Sequence, residues 1–227
     1  MKRKTFKSAG LPAVAAGVLA VAVLAWVPAD GRTDGMVEGL VEGLDAGMDA
    51  GMDAGRFTSA ERAIINGADS IMRVLTIEDS CDLAVLRAKS TDLSESALHS
   101  KEYLRLAHLM VATVPHPSQD GVGIAGPQIG MNRRVVAVQR FDKPGEPFEV
   151  YPNIRIVQAS DSLAYGPEGC LSVPDRRGEV LRSQEIVIEY AATDPFRMVR
   201  DTVSGFTAVI FQHEIDHLDG ILYIDRL

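Results

Sequence analysis

The stretch FQHEIDHLDG, residues 211–220, contains the pattern His-Glu-x-x-His, formed by His213, Glu214 and His217. On a helix this spacing places both imidazoles on one face, where they can bind the same metal ion. The glutamate beside them can act as general base for a water that the metal holds. The alternative is a pair of core histidines that are satisfied by hydrogen bonds. The full pattern favours a catalytic metal site, which normally takes three protein ligands.

Zinc proteases with this motif take their third metal ligand from a residue that follows it in the sequence, and neither of the usual residues is found here. Those enzymes use a histidine six residues after the second one or a glutamate further along. Here Tyr223 stands at the first of these positions, and no glutamate follows Glu214 in the 227 residues. Asp219 and Asp225 lie at or beyond the expected helix end, from which their side chains would have to turn back. We therefore expect the third ligand upstream.

Cys170, in GPEGCLSVP, is the best upstream candidate. Gly166, Pro167 and Gly169 predict a tight turn that exposes the thiol, and a thiolate binds transition metals well. The alternatives are a small buried apolar residue or a disulfide with the other cysteine, Cys81. Cys81 has acidic neighbours, which disfavour a thiolate, so we interpret it as structural or inert.

A glycine-rich stretch, GVGIAGPQIG at residues 121–130, is the remaining candidate for chemistry. It is not a phosphate-binding loop, because no Lys-Ser/Thr pair follows it. Its glycines allow backbone groups to approach a ligand closely. The side-chain amide of Gln128 can donate to a developing oxyanion. Taken alone, the stretch is also compatible with a plain loop.

Two predicted helices precede the strands, and a third helix follows them. The first begins with a capping box of Thr58 and Glu61, and the second covers LSESALHSKEYLRLAHLMVATV. Three runs rich in Val, Ile and Tyr then predict strands: RRVVAVQRF, FEVYPNIRIV and EIVIEYAAT.

The last helix is predicted between Ser204 and Gly220. Its buried stripe comprises Phe206, Ile210, His213 and His217, with Val209 at the border. The fold class that follows is α+β, with antiparallel or mixed β-sheets packed around a C-terminal metal-binding helix.

Residues 1–29 differ in composition from the rest of the chain. A basic start and the uncharged run 11–27 are typical of a signal peptide or a membrane anchor. The basic flank favours export or membrane tethering, to the periplasm or cell envelope, whereas a leader that is not functional would leave the protein in the cytoplasm. Residues 30–56 carry glycine at every fourth position and acidic side chains, which predicts a flexible linker. Residues 57–227 are then the catalytic domain.

The overall composition restricts the partners. With 46% hydrophobic and 24% charged residues, the chain is typical of a soluble globular protein. A formal net charge of −8 argues against direct binding of nucleic acid, whose partners usually present a basic face. We expect contact with a membrane only through the leader.

The motifs GVGIAGPQIG, EGCLS and QHEIDH occur in this order, and the set resembles the three motifs of the peptide deformylases. The similarity runs from about Leu83 to Leu227. The resemblance implies that Cys170, His213 and His217 hold one divalent metal ion, Fe²⁺ first, with Zn²⁺ or Ni²⁺ as substitutes. Such an enzyme removes the formyl group from N-formylmethionyl peptides or nascent chains.

The resemblance also implies the roles of the remaining residues. Glu214 would take the proton of the water, while the Gln128 amide and the Leu171 backbone N–H would stabilise the oxyanion. The substrate would lie against Val122, Gly123, Gly169, Phe206, Val209 and Ile210. We expect a monomer. Gly126 departs from the family pattern, in which alanine is usual.

Two other functions share some of these features. A metalloendopeptidase shares the helix motif, and cleavage of an internal peptide bond would identify it. A non-catalytic module could retain the fold to bind formylated N-termini, but the complete set of Cys170, Glu214 and Gln128 argues against it.

Overall fold

The computed structural model describes residues 55–227. The predicted signal peptide or anchor at 1–29 lies outside the described residues, as does all of the predicted linker at 30–56 except its last two residues. No helix among the described residues is long and apolar enough to cross a membrane.

Five helices and two 3₁₀ turns occur in this part of the chain. The helices are α1 (Ser59–Gly67), α2 (Ser80–Leu86), α3 (Glu95–Leu98), α4 (Lys101–Thr113) and α5 (Gly205–Leu218), and the 3₁₀ turns cover Gly126–Ile129 and Tyr223–Arg226. The predicted capping box of Thr58 and Glu61 is confirmed. The second predicted helix is in fact two, because the side chains of Ser94 and Ser100 each cap a separate helix.

Eight strands form three antiparallel sheets. They are β1 (Gly123–Ala125), β2 (Val135–Gln139), β3 (Phe148–Pro152), β4 (Arg155–Ala159), β5 (Leu163–Cys170), β6 (Val173–Ser183), β7 (Glu185–Thr193) and β8 (Phe196–Ser204). The sheet orders are β1-β2-β3, β4-β7-β8 and β5-β6. The predicted run FEVYPNIRIV is divided into β3 and β4 at Asn153, whose φ is +55°. The three β-rich runs do not cover β1, β5, β6 and β8.

Strand β2 lies between two hydrophobic clusters. Val135 and Ala137 face the first cluster, which is formed mainly by α1, α3 and α4. Val136 and Val138 face the second cluster, which contains the apolar side chains of α5. Because side chains alternate along a strand, one short run of valines fills both clusters.

Helix α5 is buried on nearly every side from Thr207 to Leu218. It begins after Ser204 and stops before Gly220, which adopts a φ of +76°. Both predicted boundaries are confirmed. It contacts β1 and β2 of the first sheet, β4, β7 and β8 of the second, and β6 of the third, so the three sheets are arranged around it. The predicted α+β fold with a central C-terminal helix is therefore confirmed.

Candidate metal centre and active site

Three side chains converge where the end of β5 meets α5. The thiol of Cys170 and one ring nitrogen each of His213 and His217 lie within 4.8 Å of one another. Cys170 Sγ lies 3.2 Å from His217 Nε2. Ligands around a tetrahedral metal with ordinary Zn–S and Zn–N bonds are separated by about 3.6 Å, so this arrangement fits a divalent transition metal. One thiolate and two imidazoles are also suitable donors for such an ion.

The local structure that presents Cys170 differs from the predicted one. Strand β5 continues through Gly166–Gly169 to Cys170, so the predicted tight turn at these glycines is wrong. The chain turns after the cysteine instead, at Leu171 and Ser172, and returns as β6. Backbone pairing between the two strands therefore positions the thiol. Both cysteines are free, and Cys81 is exposed at the beginning of α2.

The orientation of His213 is set by a carboxylate that the sequence analysis missed. Its Nδ1 lies 2.8 Å from Glu168 Oε2, which leaves Nε2 to face the metal position. Burial alone would raise the pKa of Glu168, but hydrogen bonds from His213 and Arg182 outweigh it and lower that pKa to about 2. Burial opposes charge on His213, but the Cys170 thiol and Glu168 outweigh it and raise the pKa of the ring to about 10.

His217 lies in a different environment. Burial, assisted by the charge of His213, lowers its pKa well below 6.5. Its ring is therefore neutral, which is the form that binds a metal. Its Nδ1 is buried without a hydrogen-bond partner among the described residues. Packing within α5 and the Cys170 contact therefore hold this ring.

Glu214 is placed to act on a reacting molecule. It is only 4% exposed, and its Oε2 has no hydrogen-bond partner among the described residues. Burial raises its pKa to about 7, so its carboxyl group can both accept and return a proton near neutrality. Its Oε1 lies against Gly123, where a Cβ atom would be only 2.5 Å away. The glycine therefore leaves the space that the carboxylate occupies.

Gln128 reaches the metal position from the 3₁₀ turn. Its Oε1 accepts a hydrogen bond from the Ala125 backbone N–H at 2.8 Å, which fixes the direction of the amide. Its Nε2 consequently points to Cys170 Sγ at 3.5 Å and Ser172 Oγ at 3.2 Å. The predicted donor therefore lies beside the candidate ligands. Ser172, which is fully buried, was not predicted as part of the site.

A cleft of about 730 Å³ opens onto these groups. Its walls include Leu171 and all six predicted substrate-binding residues, namely Val122, Gly123, Gly169, Phe206, Val209 and Ile210. Phe206 is 57% exposed, so its predicted place on a buried stripe is wrong. Its ring instead packs against Phe141, at 5.3 Å between centroids. Arg176 and Arg177 also line the cleft and were not predicted.

Comparison with known proteins identifies relatives over most of this domain. The polypeptide deformylase family matches residues 71–227. The peptide deformylase of Leptospira biflexa is 37% identical over 150 residues, which is 63% of this chain and 82% of that protein. The peptide deformylase of Halothermothrix orenii is 36% identical over 156 residues, covering 69% and 95% of the two chains.

Solved structures show the same similarity. The Met-Ala-Ser-bound crystal structure of a class I type b peptide deformylase from Acinetobacter baumannii superposes with a TM-score of 0.61 at 34% identity. The match covers 69% of this chain and 98% of that one.

Proposed function

This chain belongs to the polypeptide deformylase family, and we propose that Cys170, His213 and His217 hold its metal and that Glu214 is its general base. The protein is a hydrolase that removes the N-formyl group from peptides. The observation that carries the residue assignment is the buried carboxylate oxygen of Glu214, which has no hydrogen-bond partner in the part of the chain that the structure describes and lies in the cleft next to the ligand set.

The resident ion in this proposal is Fe²⁺, with Zn²⁺ or Ni²⁺ as substitutes. The donor set supports a first-row transition metal, because thiolate and imidazole are poor ligands for Mg²⁺ or Ca²⁺. When bound, such an ion polarises carbonyl groups and lowers the pKa of water.

The protein groups then perform the proton transfers. The Glu214 carboxylate takes a proton from the attacking water and passes it to the amine that leaves when the formyl C–N bond breaks. The products are formate and a free N-terminus. The Gln128 Nε2 and the Leu171 backbone N–H donate to the oxygen that becomes negative on the formyl carbon. Because Ala125 holds the oxygen end of the Gln128 amide, only the donor end faces this position.

The substrate is an N-formylmethionyl peptide or nascent chain. Among the described strands, β1 is an edge strand that pairs only with β2. The unpaired edge of β1 at Gly123, which lines the cleft, can therefore hydrogen-bond to an extended peptide, as an added strand would. Phe206, Val209 and Ile210 supply an apolar wall for the methionine side chain. A relative with a bound Met-Ala-Ser peptide supports this class of ligand.

The test measures formate release from a formyl-Met peptide by Ni²⁺-loaded protein. The Glu214→Gln variant should retain the metal, whereas kcat should fall by about 10² to 10⁴. The matched control is Glu189→Gln, which should have parental activity. Glu189 lies on β7, and its carboxylate pairs with Arg200 on β8. A variant at Glu214 that released formate at the parental rate would refute its assignment. Cleavage of an unformylated peptide at an internal bond would instead indicate an endopeptidase.

The location that we propose is the cell envelope, reached by export or by a membrane tether. The support is the basic start of the chain followed by the uncharged run 11–27. Cell fractionation, together with N-terminal sequencing of the mature protein, tests this proposal. Recovery of a full-length chain from the cytoplasmic fraction would contradict it.

A further inference from the structure

A continuous series of charged side chains extends from His213 to the last turn of the chain. Behind the ring, Glu168 receives two hydrogen bonds from Arg182, at 2.7 Å from Nε and 3.0 Å from Nη2. The third nitrogen of this guanidinium, Nη1, donates to Asp216 Oδ2 at 2.6 Å. Asp216 lies on α5 between the two histidines that we assign as ligands. One arginine is therefore shared by two carboxylates.

Arg226 completes this series from the opposite side. It donates to both oxygens of Asp216, from Nε at 2.6 Å and from Nη2 at 2.5 Å. Its side chain is 41% exposed, whereas that of Asp216 is 12% exposed. Arg226 is therefore the solvent-facing end of an otherwise buried network.

The balance of buried charge explains why Arg226 is needed in addition to Arg182. Glu168 and Arg182 are 5% and 4% exposed, so these charges and that of Asp216 have little access to water. As a metal ligand His213 is neutral, so the single buried arginine compensates only one of the two negative charges on Glu168 and Asp216. An uncompensated buried charge is strongly unfavourable. Without Arg226, Asp216 and Glu168 would compete for Arg182.

We propose that Arg226 is a positioning residue for the metal ligand His213. By neutralising Asp216, it leaves Arg182 free to hold Glu168 in the orientation that receives His213 Nδ1. The metal position is thus connected to the C-terminal turn through four side chains in series: Glu168, Arg182, Asp216 and Arg226. This inference depends on the metal centre proposed above.

The 3₁₀ turn that carries Arg226 is itself well anchored. Tyr223 is 1% exposed, and its ring stacks on His213 with 6.0 Å between centroids and an interplanar angle of 23°. Asp225 accepts a hydrogen bond from the Leu222 backbone N–H at 2.8 Å and forms an ion pair with Arg87. These contacts allow the anchoring of the turn to be perturbed separately from the contact with Asp216.

The experiment compares three variants of the full chain loaded with Ni²⁺. Arg226→Met removes the charge but retains an apolar stem, and Arg226→Lys retains the charge without the paired geometry. Asp225→Asn weakens the attachment to Arg87 and leaves the Asp216 contact intact. The readouts are the rate of Ni²⁺ loss to an excess of chelator, well below the unfolding temperature, and the separate values of kcat and KM.

We expect Arg226→Met to lose Ni²⁺ about tenfold faster than the parent, with a lower kcat and an unchanged KM. Arg226→Lys should be intermediate, and Asp225→Asn should remain within about twofold of the parent, because Asp225 makes no hydrogen bond to any of the four side chains of the network. Equal rates for Arg226→Met and the parent would overturn the proposal. Equal acceleration by Asp225→Asn would also overturn it, because anchoring of the turn would then account for the effect.

Two further outcomes are decisive. If Arg226→Met does not fold, the rates of Ni²⁺ loss from Arg226→Lys and Asp225→Asn are compared instead. Faster loss from Arg226→Lys supports the proposal, and equal rates overturn it. If the parent binds no Ni²⁺, the metal centre itself fails, which is distinct from a parent that binds Ni²⁺ tightly while every Arg226 variant matches it.

Discussion

Replacement of Gly123 by alanine would test the position of the general base with a single methyl group. Gly123 lies on β1 at the floor of the cleft, where an added Cβ would be 2.5 Å from Oε1 of Glu214 and 2.9 Å from its Cδ. The atoms in conflict belong to the side chain that we assign as base. The backbone of β1 keeps its pairing with β2, because Gly123 has ordinary extended geometry and faces Val138.

The expected magnitude follows from these distances. The favourable van der Waals separation of non-bonded heavy atoms is about 3.5 Å, so the carboxylate must move by about 1 Å. Glu214 is 4% exposed and has little space into which it can move without disturbing its neighbours. A displacement of 1 Å in a reacting group costs about 10²-fold in rate. We therefore expect kcat for formate release to fall by about 10², with a smaller change in KM, since the backbone groups of Gly123 still face the substrate.

The assay is formate release from a formyl-Met peptide, together with the metal content and thermal unfolding of each variant. Gly166→Ala is the matched control, because this glycine lies on β5 near Cys170 and an added Cβ would meet no atom within 4 Å. It should have parental kcat. If Gly123→Ala and Gly166→Ala both retained parental kcat with full metal content, the close approach of Glu214 to β1 would not matter for catalysis.

Two further predictions concern stability. Burial opposes the charge of Glu61, but its hydrogen bonds with Arg133 and the capping box outweigh burial and lower its pKa below 4.5. The stabilisation that this lowered pKa represents is complete above pH 4.5 and is lost as the pH falls through the folded-state pKa. The difference in unfolding free energy between the parent and Glu61→Gln should therefore shrink between pH 7 and pH 3 in urea titrations, and a constant difference would contradict it. In Gly126→Ala, a Cβ would lie 2.5 Å from the Arg133 carbonyl oxygen, and backbone cannot yield as a side chain does. We expect a loss of about 1–3 kcal/mol in unfolding free energy, measured with denaturant, although alanine is the residue that the family resemblance leads one to expect here.

The parts of the site that could be predicted from sequence depend on short-range periodicity. The four-residue spacing of His213 and His217 predicts their common face on a helix, and α5 has this geometry. Ser204 and Gly220 predict the ends of that helix through local capping preferences. Such preferences operate within one or two turns, so they can be recognised without knowledge of the fold.

The parts that could not be predicted depend on contacts between distant segments. Glu168 and His213 are 45 positions apart, and Arg182 and Asp216 are 34 positions apart. No local pattern around Glu168 predicts that its carboxylate contacts the ring of His213 on the last helix. The interpretation of Gly166–Gly169 as a turn failed for a related reason. Cross-strand pairing with β6 extends these residues despite their glycine content.

The two histidines of the motif are equivalent in the sequence pattern but not in their surroundings. His213 donates to a carboxylate that is itself held by an arginine, which fixes both the tautomer and the direction of Nε2. His217 has no such partner at Nδ1 among the described residues and depends on packing within a helix that is buried on nearly every side. The orientation of one proposed ligand therefore comes from polar contacts that reach to the C-terminal turn, and that of the other from the hydrophobic core. Substitutions far from the cleft can consequently affect one ligand without affecting the other.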